Sequence, residues 1–158
     1  MAIIKFINNK VDLRKTLNYI CREEKTDKKL ISGKDCVPET AYEEMMTVKQ
    51  MYKKLNGREK IHFIQSFSPN DKLTYKQAHE IGLKMAEYFK GFQVVIATHK
   101  DRQHIHNHIV LNTVNFETGL KFHQSKQDLQ KIKDYSNQIC KEYGLSVIEH
   151  KSKFDSYL

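Results

Sequence analysis

The stretch HKDRQHIHNHIVLN (residues 99–112) places four histidines within ten positions and then runs straight into apolar sequence. Side chains alternate on an extended strand, so residues 104–115 read as a strand with two unlike faces. His104, His106, His108, Val110 and Asn112 share one face, and Ile105, Ile109 and Leu111 the other. At about 3.3 Å per residue, Cα atoms two positions apart lie about 6.6 Å from each other, close enough for both imidazoles to meet one ion. Four positions apart the gap is about 13 Å, which is too far. Either His104 with His106 or His106 with His108 therefore makes a pair, and a third ligand has to come from another element. The preceding FQVVIATH (residues 92–99) reads as a buried strand joined in hairpin fashion across the turn KDRQ, and it ends on His99. The minimal ligand set is then H-x6-H-x-H. Alternating histidines preceded by HKD favour a metal or phosphate site over a plain strand edge. Imidazole prefers zinc, whereas phosphate chemistry often uses harder ions, so spacing alone leaves zinc, manganese and magnesium open.

Working outward, AIIKFI (residues 2–7) reads as a strand and residues 11–24 as a partly amphipathic helix carrying Tyr19. Residues 25–40 hold Gly33, Pro38 and many charges, which predicts a loop with a short strand at Leu30–Ser32. Residues 38–55 space Tyr42, Met45, Met46, Met51, Tyr52 and Leu55 as a helix does. KIHFIQSFSP (residues 60–69) is a strand with His62, Ile64 and Ser66 on one face and Phe63, Gln65 and Phe67 on the other. Thr74 can cap a helix over 75–89 that buries Ala78, Ile81, Leu83, Met85 and Phe89. After a turn at Thr118-Gly119, a last helix runs from about Ser125 to Tyr143 and is closed by Gly144, with LSVIEH (residues 145–150) a candidate final strand. His62, His79 and His150 read as structural. The order of elements predicts an α+β fold, a central mainly antiparallel sheet flanked by helices. With no repeat or composition break, residues 1–158 form one expected domain.

The chain carries 27 Lys+Arg against 19 Asp+Glu, a formal net charge of +8 that suits a phosphate-rich partner. Only Arg14, Arg22, Arg58 and Arg102 are arginine, so the field is mostly lysine point charge, good for attracting phosphate and poor for bidentate reading of bases. The lysine-rich stretches Lys25–Lys29 and Lys121–Lys133 are solvated faces that could also track phosphates. Cys21, Cys36 and Cys140 are odd in number, widely spaced and outside any CxxC pair, so they indicate neither a disulfide framework nor a zinc ribbon and fit a reducing cytoplasm. No apolar run is long enough for a membrane span, and the first residues lack the pattern of an export leader, so neither is expected.

The pattern HxDxxHxHxHxxxN over residues 99–112 resembles the histidine motif of relaxases of the P-type mobilisation family, members of the HUH endonucleases. LRKTLNYICREEKT (residues 13–26) resembles that family's first motif, with Tyr19 as its tyrosine, and HFIQSFSP (residues 62–69) its second, with Ser66 and Pro69. SGKDCVPETAYEEMM (residues 32–46) and FETGLKFH (residues 116–123) also look like stretches of these domains, so the resemblance covers nearly the whole chain. It implies a relaxase palm fold, and a strand- and sequence-specific nickase and transesterase acting at an origin of transfer. Tyr19 would attack the scissile phosphate and stay linked to the DNA 5′ end, leaving a free 3′-OH. One divalent ion, Mn²⁺ or Mg²⁺ in function and Zn²⁺ or Ni²⁺ in vitro, would sit on His99, His106 and His108. Asp101 would accept the tyrosine proton or orient a ligand histidine. His104, Ser66, Asn112 and His123 would contact DNA or stand behind the ligands. The implied partners are single-stranded origin DNA, accessory relaxosome proteins and a type IV coupling protein, in the bacterial cytoplasm without membrane insertion. Since such domains usually continue into further ones, the chain is either whole or the N-terminal part of a longer protein.

Two other readings keep the same residues. One is a metal-dependent nuclease in which the ion activates water. The other is a non-catalytic, basic DNA-binding accessory module whose histidines hold a structural metal or none. A zinc hydrolase of small substrates fits poorly, because the chain has no HExxH.

Overall fold

The computed structural model describes residues 2–100 and 104–147. Five strands, β1 (Ala2–Phe6), β2 (Ile31–Lys34), β3 (Lys60–Phe67), β4 (Val94–His99) and β5 (His106–Asn112), make one sheet in the order β1-β3-β5-β4-β2. Every neighbouring pair is antiparallel. Among the described residues four α-helices accompany the sheet: α1 (Leu13–Ile20), α2 (Ala41–Met51), α3 (Tyr75–Glu87) and α4 (Lys126–Glu142). The α+β expectation holds, with β5 central.

Alternation along the strands divides the core in two. Phe63, Ile96, Ile109 and Leu111 pack under α3 and α4 against Ala78, Ile81, Met85, Ile132 and Ile139. Val95, Ala97 and Val110, on the other face, pack under α1 and α2 against Leu13, Leu17, Ile20, Ala41 and Met45. Both α3 and α4 start with a capping box, Thr74 with Gln77 and Ser125 with Asp128, which satisfies otherwise orphaned backbone N–H groups. Gly82 lets α3 close on the sheet: a Cβ there would stand 2.8 Å from Ile96 Cγ2 and 2.9 Å from Asn107 Nδ2. Asn107, buried under α3, accepts from Thr98 Oγ1 (2.6 Å) and donates to Gln65 Oε1 (3.1 Å) and Ala78 O (2.8 Å). One amide thus ties β3, β4 and β5 together, and these three strands carry the histidines.

Several boundaries differ from the sequence reading. Helix α1 is shorter than residues 11–24, because the Asp12 side chain accepts from Lys15 N as an N-cap and Cys21 is already the C-cap. Helix α2 stops at Met51, and Lys53 takes a left-handed φ of 54° just beyond it. The short strand lies at Ile31–Lys34. Strand β5 ends at Asn112, and Val114 forms only an isolated bridge to Lys121. Leu83 is 36% exposed rather than buried, since it lies across the helix from the Ala78, Ile81 and Met85 stripe that meets the sheet. Residues 145–147 form no strand, and the rest of LSVIEH lies outside the described residues.

Candidate metal centre and nucleophile

Register sets the site. His99 pairs with His106 across β4 and β5, and β3 lays Ser66 beside His106 and Ile64 beside His108. On the α1 face, His99, His106 and His108 come together, each nearly fully buried. The ring centroids of His99 and His108 are 4.1 Å apart, those of His99 and His106 5.2 Å, and those of His106 and His108 5.1 Å. Each ring offers one nitrogen, and the three nitrogens lie within 4.8 Å of one another. Of the two pairs left open by spacing, the structure assembles His106 with His108. His104 is exposed, with its ring 6.3 Å from that of His106.

Hydrogen bonds decide which nitrogens can ligate. His99 Nε2 lies 2.8 Å from the Ile20 carbonyl, and a carbonyl can only accept, so Nε2 carries the proton and Nδ1 the lone pair. His106 Nδ1 makes a longer approach of 3.5 Å to the His104 carbonyl. His108 Nδ1 is 2.8 Å from His62 Nε2. Burial, then the neighbouring Lys60 and His99, pushes the His62 imidazole down to about 4. Burial, then His99 and His62, pushes His108 down to about 2. Both rings are therefore neutral at neutral pH, the form in which imidazole ligates. Three imidazole nitrogens at this separation would fit one divalent ion.

Tyr19, the penultimate residue of α1, is 37% exposed. Its ring stands edge-on to His108 at 5.8 Å and tilted to His99 at 6.1 Å. Two cations face the same ring, Lys25 Nζ at 5.3 Å and the Arg22 guanidinium at 5.9 Å from its centroid. A cavity of about 370 Å³ opens beside Tyr19, His62 and His108, walled by Ile7, Val11 and Ile64. Asn9 and Val11 also line a second cavity of about 680 Å³ with Lys10, Arg58 and Lys60.

The remaining candidates separate. Ser66 is half-buried on the histidine face. Asn112 is fully buried at the far end of β5, where it accepts from Lys49 Nζ and donates to Met45 O and Gln93 Oε1. That corrects its reading as a DNA contact or a group behind the ligands: it has no accessible surface, and four strand positions, about 13 Å, separate it from His108. His123 is exposed just before α4, and its neighbour Phe122 packs on Phe89 and Phe92 in the opposite layer. Asp101 lies outside the described residues. His62, which the sequence presents as structural, is buried in contact with His108. Its alternation with Ile64 and Ser66 was the available signal; the register of β3 on β5 was the missing part. His79 is structural, bonded to Ser32 and Thr98 under α3. No helix among the described residues is long and apolar enough to cross a membrane.

The class these features define is an α+β sheet domain with an imidazole cluster on its central strands and a tyrosine helix laid over it. Residues 19–145 match the family described as relaxase, MobA/VirD2-like, nuclease domain, and the chain belongs to that family. It is 39% identical over 154 residues to a protein rlx of Staphylococcus aureus, covering 97% of this chain and 46% of that protein. It is 42% identical over 112 residues to the group II intron-interrupted relaxase LtrB of Lactococcus lactis subsp. cremoris, covering 61% of this chain and 20% of that protein. The chain thus spans less than half the length of these relatives. A structure solved in work titled as the molecular basis of vancomycin resistance transfer in Staphylococcus aureus superposes with a TM-score of 0.51 at 15% identity. The superposition covers 96% of this chain and 75% of that one, a likeness of fold.

Proposed function

We propose that residues 1–158 are the catalytic domain of a relaxase that nicks and rejoins one DNA strand at a specific site in an origin of transfer, through a 5′-phosphotyrosyl intermediate on Tyr19. The observation that supports this most is the placement of the Tyr19 ring against His108 and His99, with a partly exposed edge from which DNA can approach. A bound divalent ion on His99, His106 and His108 would supply positive charge to a nonbridging phosphate oxygen and so favour the transition state. Mn²⁺ or Mg²⁺ is the expected ion in function, with Zn²⁺ or Ni²⁺ able to occupy the site in vitro.

The chain's own groups do the rest. Tyr19 Oη forms a bond to phosphorus as the bond to the 3′ oxygen breaks, and that oxygen leaves as a 3′-OH after taking a proton. The ester keeps the energy of the phosphodiester, so the 3′-OH can attack it and reseal the strand without ATP. Arg22 and Lys25 favour the negative charge that develops on the tyrosine oxygen. Asp101, two residues beyond His99, accepts the phenolic proton or orients a ligand ring. Ser66 and His104, beside His106 on the histidine face and at its exposed edge, contact the DNA backbone. The second cavity, lined by Lys10 and Arg58 as well as by Asp12 and Glu59, lies next to the first and offers the strand a mixed-charge continuation. Single-stranded origin DNA, relaxosome accessory proteins and a type IV coupling protein are the partners this reading names, in the bacterial cytoplasm.

The test is incubation with labelled single-stranded origin DNA and Mn²⁺ or Mg²⁺, followed by a denaturing gel. A protein-linked band that disappears in Tyr19→Phe is the expected result. Hydrolysed DNA with no adduct, unchanged in Tyr19→Phe, would replace this reading with that of a water-activating nuclease.

A further inference from the structure

We propose that His62 is a positioning residue for the divalent-ion site: it accepts the Nδ1 proton of His108 and thereby holds His108 in the tautomer whose Nε2 can ligate. The inference rests on the metal reading of the histidine cluster given above. Strand β3 brings His62 opposite Val110, and His108 is the diagonal neighbour of that pair on the same face, within reach of a ring side chain. The result is a buried contact of 2.8 Å between His62 Nε2 and His108 Nδ1, with ring centroids 5.1 Å apart.

A contact of this length between two ring nitrogens forms only if one of them carries a proton and the other a lone pair. If His62 Nε2 donates, the proton of His108 sits on Nε2, which then cannot ligate. If His108 Nδ1 donates, Nε2 of His108 keeps its lone pair and the proton of His62 sits on its own Nδ1. Ion binding selects the second arrangement. Ligand histidines commonly give their other N–H to a carboxylate, a backbone carbonyl or water. His99 uses a carbonyl, that of Ile20. His108 uses an imidazole, which fixes the ring as a carbonyl would and adds no negative charge beside the ion. An ion so held keeps more of its charge for an anionic phosphodiester.

The experiment is calorimetric titration of the metal-free chain with Mn²⁺ alone and with Zn²⁺ alone, without DNA, for wild type, His62→Gln and His62→Phe. Thermal melts of the same samples report folding. Gln offers an acceptor at this position and Phe keeps only the ring shape. Expected are a Kd weaker by about 10- to 100-fold in His62→Phe and largely restored in His62→Gln, with similar melts. A His62→Phe chain that binds as wild type does, or a folded His62→Gln chain as weak as the Phe variant, overturns the proposal. Should His62→Phe not fold, the long-range ¹H–¹⁵N spectrum of the Zn²⁺-loaded wild type decides. Protons on Nδ1 of both His108 and His62 support the proposal, and a proton on His62 Nε2 overturns it. A wild type that takes up neither ion overturns the metal reading and this inference together, whereas normal uptake without a tyrosyl adduct counts against the role of Tyr19 alone.

Discussion

The ring of Tyr19 meets the ring of His108 edge-on, with 5.8 Å between centroids. A helix over one face of the sheet and the central strand beneath it thus present a phenol and an imidazole cluster to the same volume. The two cations near the phenol ring are the first point to probe. Replacing both Arg22 and Lys25 by alanine is expected to slow formation of the DNA adduct by about tenfold, which corresponds to roughly 1.4 kcal/mol of barrier. The remaining rate should also depend less on salt. Initial rates at several ionic strengths measure this, and an unchanged rate with unchanged salt dependence would remove these residues from the argument.

His104 and His106 are two positions apart on the chain but differ in setting, one exposed and the other buried in the cluster. His106→Ala should weaken Mn²⁺ binding by about 100-fold or more, and His104→Ala by less than about threefold. His104→Ala should instead weaken binding of single-stranded DNA. Calorimetry for the ion and fluorescence anisotropy for the DNA separate the two; equal losses of ion affinity would mean that the ligand set includes His104.

Lys49 is almost fully buried, with Nζ 2.7 Å from Asn112 Oδ1 and 2.6 Å from Thr113 Oγ1. Burial is the main reason its ammonium is pushed down to about 8. Below pH 8 both the folded and the unfolded chain hold this proton, and the folded chain bears the full cost of the buried charge. Between pH 8 and about 10.5 the folded chain releases it first, so the contribution of Lys49 to stability rises with pH. The denaturation midpoint of wild type minus that of Lys49→Met should therefore increase across this window. A flat difference would show that the amine titrates normally.

Gly82→Ala should destabilise the fold by about 1–3 kcal/mol, because the new methyl would press on Ile96 and on the amide of Asn107. Since Asn107 bonds to both Thr98 and Gln65, the disturbance reaches all three histidine-bearing strands. Ion affinity in the variant should fall as well as the melting temperature. A lower melting temperature with unaltered ion affinity would mean that the site tolerates a shift of α3.

Much of this arrangement is legible in the chain because the signals are local. The alternation of residues 104–112 and the short connection to FQVVIATH give the central hairpin, and the S/T-x-x-Q/D starts at Thr74 and Ser125 give two helices. Tertiary partners decide what local pattern cannot. Asn112 continues the polar face of β5 and so reads as accessible, but Lys49, 63 residues away, reaches across to cover it. His62 looks like an ordinary strand histidine until the β3 register puts it beside His108. Helix α1 looks longer because Val11 and Cys21 extend its apolar pattern, while Asp12 and Cys21 cap it from within that run.

The carbonyl of Ile20 belongs to the residue after Tyr19, and it is the acceptor for His99. A peptide group just beyond Tyr19 therefore dictates how the His99 ring is turned. Any slide or rotation of the helix is felt at once by that imidazole, and any tug on the imidazole is felt by the phenol. Tyr19 and His99 are thus set against a common stretch of backbone, so on the proposed reading substitutions that shift α1 should impair ion uptake and strand cleavage in parallel, even when they touch neither side chain.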